Sequence, residues 1–109
     1  MIAIDYSRKQ IEYLHHNASI YNLLHKINPI LADFLTINIK RSDFVFLNPN
    51  YVKRKEEKFS LFKHIEPDIF EIIKKGLEVS NNIMLLLPKY TDISELAMIF
   101  ASLLEDLNM

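Results

Sequence analysis

The sequence predicts an α/β fold with a largely parallel sheet and right-handed crossovers, and three observations carry that prediction. Short apolar runs at Met1 to Ile4, Ile30 to Ala32, Phe44 to Leu47 and Ile83 to Leu87 each stop at a carboxylate, an asparagine or a proline, the length and punctuation of strands. The segments between them carry apolar residues at helical spacing. Two helical segments open on capping boxes, Ser7 with Gln10 and Asp92 with Glu95, in which each member satisfies a free backbone N–H.

Taken in order, Met1 to Ile4 is a strand tipped by Asp5, and Ile11, Leu14, Ala18 and Tyr21 form one face of the helix that follows. Asn28-Pro29 breaks that helix, and Ile30-Leu31-Ala32 leads into Asp33 as a second strand ending in a carboxylate. Leu35, Ile37 and Ile39 alternate with polar residues, which taken alone is a β signal. Phe44 to Leu47 has the aromatic and β-branched members of a strand covered on both faces, and Asn48-Pro49 ends it. Val52 to Lys58 is a Lys-, Arg- and Glu-rich loop or short helix.

Pro67 suits the first turn of the next helix, with Asp68 and Glu71 near its positive end and Ile69, Phe70, Ile72, Ile73 and Leu77 on its buried face. Asn81-Asn82 marks a turn, Ile83 to Leu87 a buried strand and Pro88 its end. Leu96, Ile99, Phe100, Leu103, Leu104 and Leu107 give an amphipathic last helix. With no repeat, low-complexity tract or linker, residues 1–109 read as a single domain.

A chain of 109 residues buries roughly two thirds of the surface it exposes when unfolded, enough for a core. Its single glycine argues against a glycine-rich phosphate loop. A net charge of −1 provides no global field to recruit nucleic acid or a membrane. The absence of cysteine excludes disulfides, thiolate metal sites and cysteine nucleophiles and is compatible with an intracellular compartment. The longest apolar run, Ile83 to Leu87, is far below the roughly 20 residues of a membrane helix, and no secretory signal is visible. His15 and His16 point in different directions on a helix, and His25 and His64 are isolated, so no metal is expected.

The stretch that carries chemistry is Ser42 to Tyr51. A polar side chain held by a proline at the carboxyl end of a strand sits where ligands of open α/β sheets collect. Asn48-Pro49-Asn50-Tyr51 resembles the (Asn/Asp/Ser)-Pro-Pro-(Tyr/Phe/Trp) motif of S-adenosylmethionine-dependent methyltransferases that modify nitrogen, with Asn50 in place of the second proline. A plain turn after a strand is the competing reading.

The whole chain resembles the middle of the trimethylguanosine synthase family, the RNA cap guanine-N2 methyltransferases. The matching residues are Met1-Ile2-Ala3-Ile4-Asp5, Asn17-Ala18 with Tyr21, Ala32-Asp33-Phe34, Asp43 to Leu47, Phe70-Glu71-Ile72, Asn81-Asn82-Ile83, and Leu87-Pro88-Lys89 before Asp92-Ile93. The resemblance implies a Rossmann-like methyltransferase fold that lacks the family's first strand with its glycine loop and its last strands. It makes the segment around Leu35 to Ile39 a helix or loop.

In such enzymes Asp5 would hold the ribose hydroxyls of S-adenosylmethionine and Asp33 would lie near its adenine amino group. Asn48 and the Pro49 carbonyl would accept hydrogen bonds from the substrate amine, which is positioning more than acid–base chemistry. Tyr51, where the family has tryptophan, would stack on the cationic 7-methylguanine ring. Asn50 and Lys53 would join the substrate site, with Arg54 and Lys55 towards the cap phosphates. Beside these stand plainer readings: strand-end carboxylates for Asp5 and Asp33, loop cover for Tyr51, and a solvated charge run from Lys53 to Glu57.

The family's missing first strand belongs between the strands matching Met1 to Ile4 and Asp43 to Leu47, so its absence opens two edges in mid-sheet. A second polypeptide completing the sheet, a reduced fold that closes over the gap, or a decayed or truncated form would each accommodate that. The resemblance implies capped RNA of the small nuclear or small nucleolar type as partner, no membrane, and a nuclear or cytoplasmic location. A chain reduced or inactive in isolation is expected. The alternative is a non-catalytic methyltransferase-like module that binds RNA or protein; a relative acting on adenine or a glutamine side chain is a third reading.

Overall fold

In the computed structural model, residues 1–52 and 57–107 are described. They form two compact units, Met1–Asn38 and Ile39–Met109.

In the first unit, β1 (Ile2–Asp5) pairs in parallel with β2 (Asn28–Leu31), Ile2 opposite Asn28 and Asp5 opposite Leu31. Backbone bonds from Asn28 to Met1 and from Ala32 to Asp5, 2.8 and 3.0 Å, extend the ladder at both ends. Helix α1 (Arg8–Ile20) starts at Ser7, whose side chain accepts the Gln10 N–H. It turns Ile11, Leu14 and the buried Ala18 inward against the strands.

The end of α1 departs from expectation. Asn22 adopts the left-handed conformation with φ 57°, Leu23 N–H reaches the Ala18 carbonyl at 2.7 Å and Asn22 N–H the Ser19 carbonyl at 3.1 Å. This is a Schellman-type stop, which asparagine tolerates better than other non-glycine residues. Tyr21 therefore falls outside the helix and is exposed, and Asn28-Pro29 opens a strand where it was expected to break a helix. Leu35, Ile37 and Ile39 form no strand; residues 34–36 are a turn and 37–40 irregular.

In the second unit, β3 (Val45–Leu47) pairs in parallel with β6 (Ile83–Leu85), and β4 (Asn50–Tyr51) pairs antiparallel with β5 (Ile65–Glu66). Helix α3 (Ile69–Val79) is capped by Asp68, whose carboxylate accepts the Phe70 N–H at 2.8 Å, so Pro67 lies just ahead of the cap and not in the first turn. Its buried residues Ile69, Ile72, Ile73, Gly76 and Val79 recur at helical spacing and pack on β3. Helix α4 (Ile93–Leu107) packs on α3 and on the short α2 (Leu61–His64), burying Ile99 and Leu103. Phe100 and Leu104 of its expected apolar stripe are exposed, and the side chain of Leu107 lies outside what is described.

Among the described residues the strands thus form three separate two-stranded sheets, two of them parallel, where one largely parallel sheet was expected. β1 and β3, the strands predicted to flank a missing neighbour, belong to different sheets. The strand from Phe44 to Leu47 is covered on one face only. Val45 and Leu47 turn inward, while Phe44, Phe46 and, opposite it on β6, Met84 are more than half exposed, at 52%, 53% and 54%. The mixed α/β class stands, with short parallel strand pairs and four helices among the described residues.

Gly76 lies where α3 comes closest to β3 and β6. A Cβ there would meet the Cδ1 methyls of Leu47 at 3.0 Å and Ile83 at 3.2 Å. Alanine gains roughly 0.5–1 kcal/mol of helix propensity, but overpacking costs about 1–3 kcal/mol. With Leu47 itself buried, the second effect should win. Gly76→Ala is expected to lower stability by roughly 1 kcal/mol in urea denaturation, and a rise in stability would contradict this packing.

Candidate functional site

Asp5 and Asp33 stand just at and just beyond the carboxyl ends of the paired strands β1 and β2. One Asp5 oxygen accepts the Ser7 N–H at 2.9 Å, which orients the carboxylate ahead of α1. Asp33 Oδ1 accepts the Leu35 N–H at 3.0 Å, and its carbonyl accepts Thr36 and Ile37 N–H groups. Both acids therefore also organise turns.

The Asn48 loop belongs to the second unit. Leu47 is buried at the end of β3, so the chain emerges with Asn48 exposed and Pro49 half-buried. Asn50 and Tyr51 then enter β4, opposite Glu66 and Ile65. Because Val52 N–H donates to the His64 carbonyl at 2.9 Å, the alternation of an antiparallel ladder puts the Asn50–Glu66 pair in hydrogen-bonding register. A proline at position 50 would bring no N–H to that pair, a physical reason for the departure from the two-proline motif.

Tyr51 is half-exposed and joins a cluster of rings. Its centroid lies 5.9 Å from Phe59 and 6.4 Å from Tyr90, with interplanar angles of 86° and 83°. Phe59 and Tyr90 are 5.2 Å apart at 73°. Partial burial, then a hydroxyl hydrogen bond with Tyr51, then electrostatic repulsion from Tyr51, push the Tyr90 phenol above its ordinary pKa.

Beneath the rings runs a polar network. His64, buried and stacked on Phe59 at 5.7 Å, accepts the Ser60 N–H at Nδ1 over 2.9 Å. Its other nitrogen, Nε2, then carries the hydrogen and donates to Glu57 Oε2 at 2.7 Å. Glu95 reaches from α4 to accept the Ser60 hydroxyl at 2.6 Å and the Leu61 N–H at 3.1 Å. The Asp92 carboxylate caps α4 through the Ser94 N–H at 2.8 Å. The expected Asp92–Glu95 box is therefore corrected: the Glu95 carboxylate serves the start of α2.

Of the residues named from sequence, Asn48, Pro49, Asn50 and Tyr51 are brought together in the second unit, and Asp5 with Asp33 in the first. Lys53, Arg54, Lys55 and Glu56 lie outside the described residues. Phe59, Ser60, His64, Tyr90 and Glu95 escaped sequence reading as parts of this site. The available signals were the aromatic Tyr90 directly after Leu87-Pro88-Lys89 and the apolar Phe59 and Leu61 flanking Ser60 after the charge run.

No helix among the described residues is long and apolar enough to cross a membrane. The family model for RNA cap guanine-N2 methyltransferases matches residues 1–108. A match that runs from β1 through α4 takes in both carboxylate-tipped strands and the Asn48-to-Tyr51 loop, and the chain belongs to the RNA cap guanine-N2 methyltransferase family.

Proposed function

We propose that the chain is a trimethylguanosine-synthase-like, S-adenosylmethionine-dependent methyltransferase domain acting on the exocyclic amine of cap guanosine, with reduced or absent turnover in isolation. In this reading residues 1–109 are a single partial domain of Rossmann-like type. The reading is supported by the family match and by the Asn48-to-Tyr51 loop following directly on the buried end of a parallel strand. Strand-end positions of this kind are where α/β folds bind ligands.

S-adenosylmethionine would supply the electrophilic methyl group. The chain's residues fit its nucleoside end: Asp5, half-buried and oriented by Ser7, offers a carboxylate to the two ribose hydroxyls, and Asp33 stands beyond the adjacent strand end for the adenine amine. The methionine end has no such match, because the single glycine is buried in α3 and cannot line a cofactor turn. Asn48 and the Pro49 carbonyl would accept the amine's N–H groups and orient its lone pair. Tyr51 would hold the 7-methylguanine ring, with Asn50 and Lys53 beside it. The amine is not strongly basic, so positioning carries the rate more than proton transfer.

β1 and β3 are each paired on one side only among the described residues, and a second polypeptide adding a strand to the edge of either would extend that sheet. The substrate in this reading is capped RNA of small nuclear or small nucleolar type, in the nucleus or cytoplasm. The non-catalytic alternative is favoured by two observations, the helical burial of Gly76 and the place of Asn50 in the β4–β5 ladder.

Transfer of a labelled methyl group to capped RNA separates the two readings. Binding of 7-methylguanosine triphosphate tests the recognition they share. Tyr51→Ala should weaken it roughly 5- to 150-fold, the loss of one base–aromatic stack. Equal affinity of wild type and variant would sink the cap-binding reading.

A further inference from the structure

We propose that Tyr90 is a second ring of the substrate subsite, forming with Tyr51 and Phe59 an aromatic corner that receives a methylated, positively charged purine. This rests on the cap-binding reading above and adds to it one residue, Tyr90, that helps discriminate the cationic base.

The first ground is the arrangement of the rings. Three rings meet with centroids 5.2 to 6.4 Å apart and planes 73° to 86° from one another. Phe59 is 4% exposed and closes the cluster from within, whereas Tyr51 and Tyr90 are 49% and 47% exposed and available to a ligand.

The second ground is preorganisation. Tyr51 is held by the β4–β5 ladder. Phe59 is stacked on His64, both of whose nitrogens are engaged. Tyr90 sits in a turn closed by Thr91, whose N–H and hydroxyl both donate to the Pro88 carbonyl, at 3.1 and 2.6 Å. Rings fixed from separate segments lose little entropy on binding.

The third ground is charge. Partial desolvation and the bond to Tyr51 raise the Tyr90 phenol above its ordinary pKa, so Tyr90 brings no phenolate to the corner at neutral pH. The attraction on offer is that of ring faces for a cation, which favours 7-methylguanine over guanine. Each such contact discriminates by roughly 2- to 30-fold.

The test uses the full 109-residue chain with isotope-labelled tyrosine rings, assigned through the spectra of Tyr51→Phe and Tyr90→Phe. On titration with 7-methylguanosine triphosphate, the ring resonances of both Tyr51 and Tyr90 should shift together, and more strongly than with guanosine triphosphate. Tyr90→Phe should keep the preference for the methylated ligand, and Tyr90→Leu should lose roughly 2- to 30-fold of it. Movement of Tyr51 with Tyr90 unmoved would overturn this proposal and leave the cap-binding reading standing. If neither ring moves, the reading itself fails. Should Tyr90→Leu not fold, the wild-type titration decides alone.

Discussion

Replacing Ile73 by alanine is expected to remove about 2–5 kcal/mol of stability, the cost of truncating a fully buried β-branched side chain and leaving the space unfilled. Ile73 has 0% exposure and lies on the face of α3 that packs against β3, between Ile69 and Gly76. There is no room for even a Cβ at Gly76, which would meet the Cδ1 methyls of Leu47 and Ile83 at 3.0 and 3.2 Å, so the helix already approaches the strands closely there and cannot move in to fill a void. Against a typical domain stability of roughly 5–15 kcal/mol, that loss moves a urea midpoint decisively. Ile73→Val, which removes one methyl group, should cost about 0.5–1.5 kcal/mol. The consequence reaches the site, because the Asn48 loop leaves the end of the strand that α3 supports. An Ile73→Ala penalty below roughly 0.5 kcal/mol, the level of a neutral surface change, would mean that α3 does not pack as described.

What could be read from sequence was what neighbouring residues determine. The apolar run ending at Asp5, the Ser7 cap and the spacing of Ile69, Ile72 and Ile73 each depend on a few adjacent positions, and each formed the element expected. The Asn48-to-Tyr51 loop was legible for the same reason, as a strand end followed by a proline.

The failures have tertiary causes. β4, α2 and β5 are two to four residues long, too short for any period to appear, and they exist because Tyr51 finds Ile65 and Ser60 finds Glu95. The stop of α1 was misplaced because Pro29 is a louder signal than Asn22, although asparagine in the left-handed conformation ends a helix just as well. Two-sided coverage of the strand at Phe44 to Leu47 was inferred from its apolarity. Apolarity, however, does not say which neighbours are present, and Phe46 is exposed.

Glu95→Ala should cost about 1.5–3 kcal/mol, the value of hydrogen bonds to a charged group, although the side chain is not part of a hydrophobic core. Removal leaves the N–H of the fully buried Leu61 without its carboxylate partner and frees the Ser60 hydroxyl, which also accepts the Phe62 N–H. Glu95→Gln keeps an acceptor oxygen for one of the two donors and should fall between wild type and alanine. Ser60→Ala supplies the discriminating experiment. If Glu95 belonged to a capping box with Asp92, its removal and that of the Ser60 hydroxyl would be independent, adding to within about 0.3–0.5 kcal/mol. A bond of 2.6 Å between them predicts coupling at the upper part of the roughly 0.5–3 kcal/mol range for residues in contact. In the cap-binding reading proposed above, the same double-mutant cycle can be read on cap-analogue affinity. Ser60 precedes α2, next to Phe59 and within the segment that His64 closes, so loosening it should release Phe59 from behind Tyr51 and weaken binding, although neither mutated side chain is among the rings. Additive stabilities with unchanged affinity would return Glu95 to the local capping role and detach the polar network from the aromatic site.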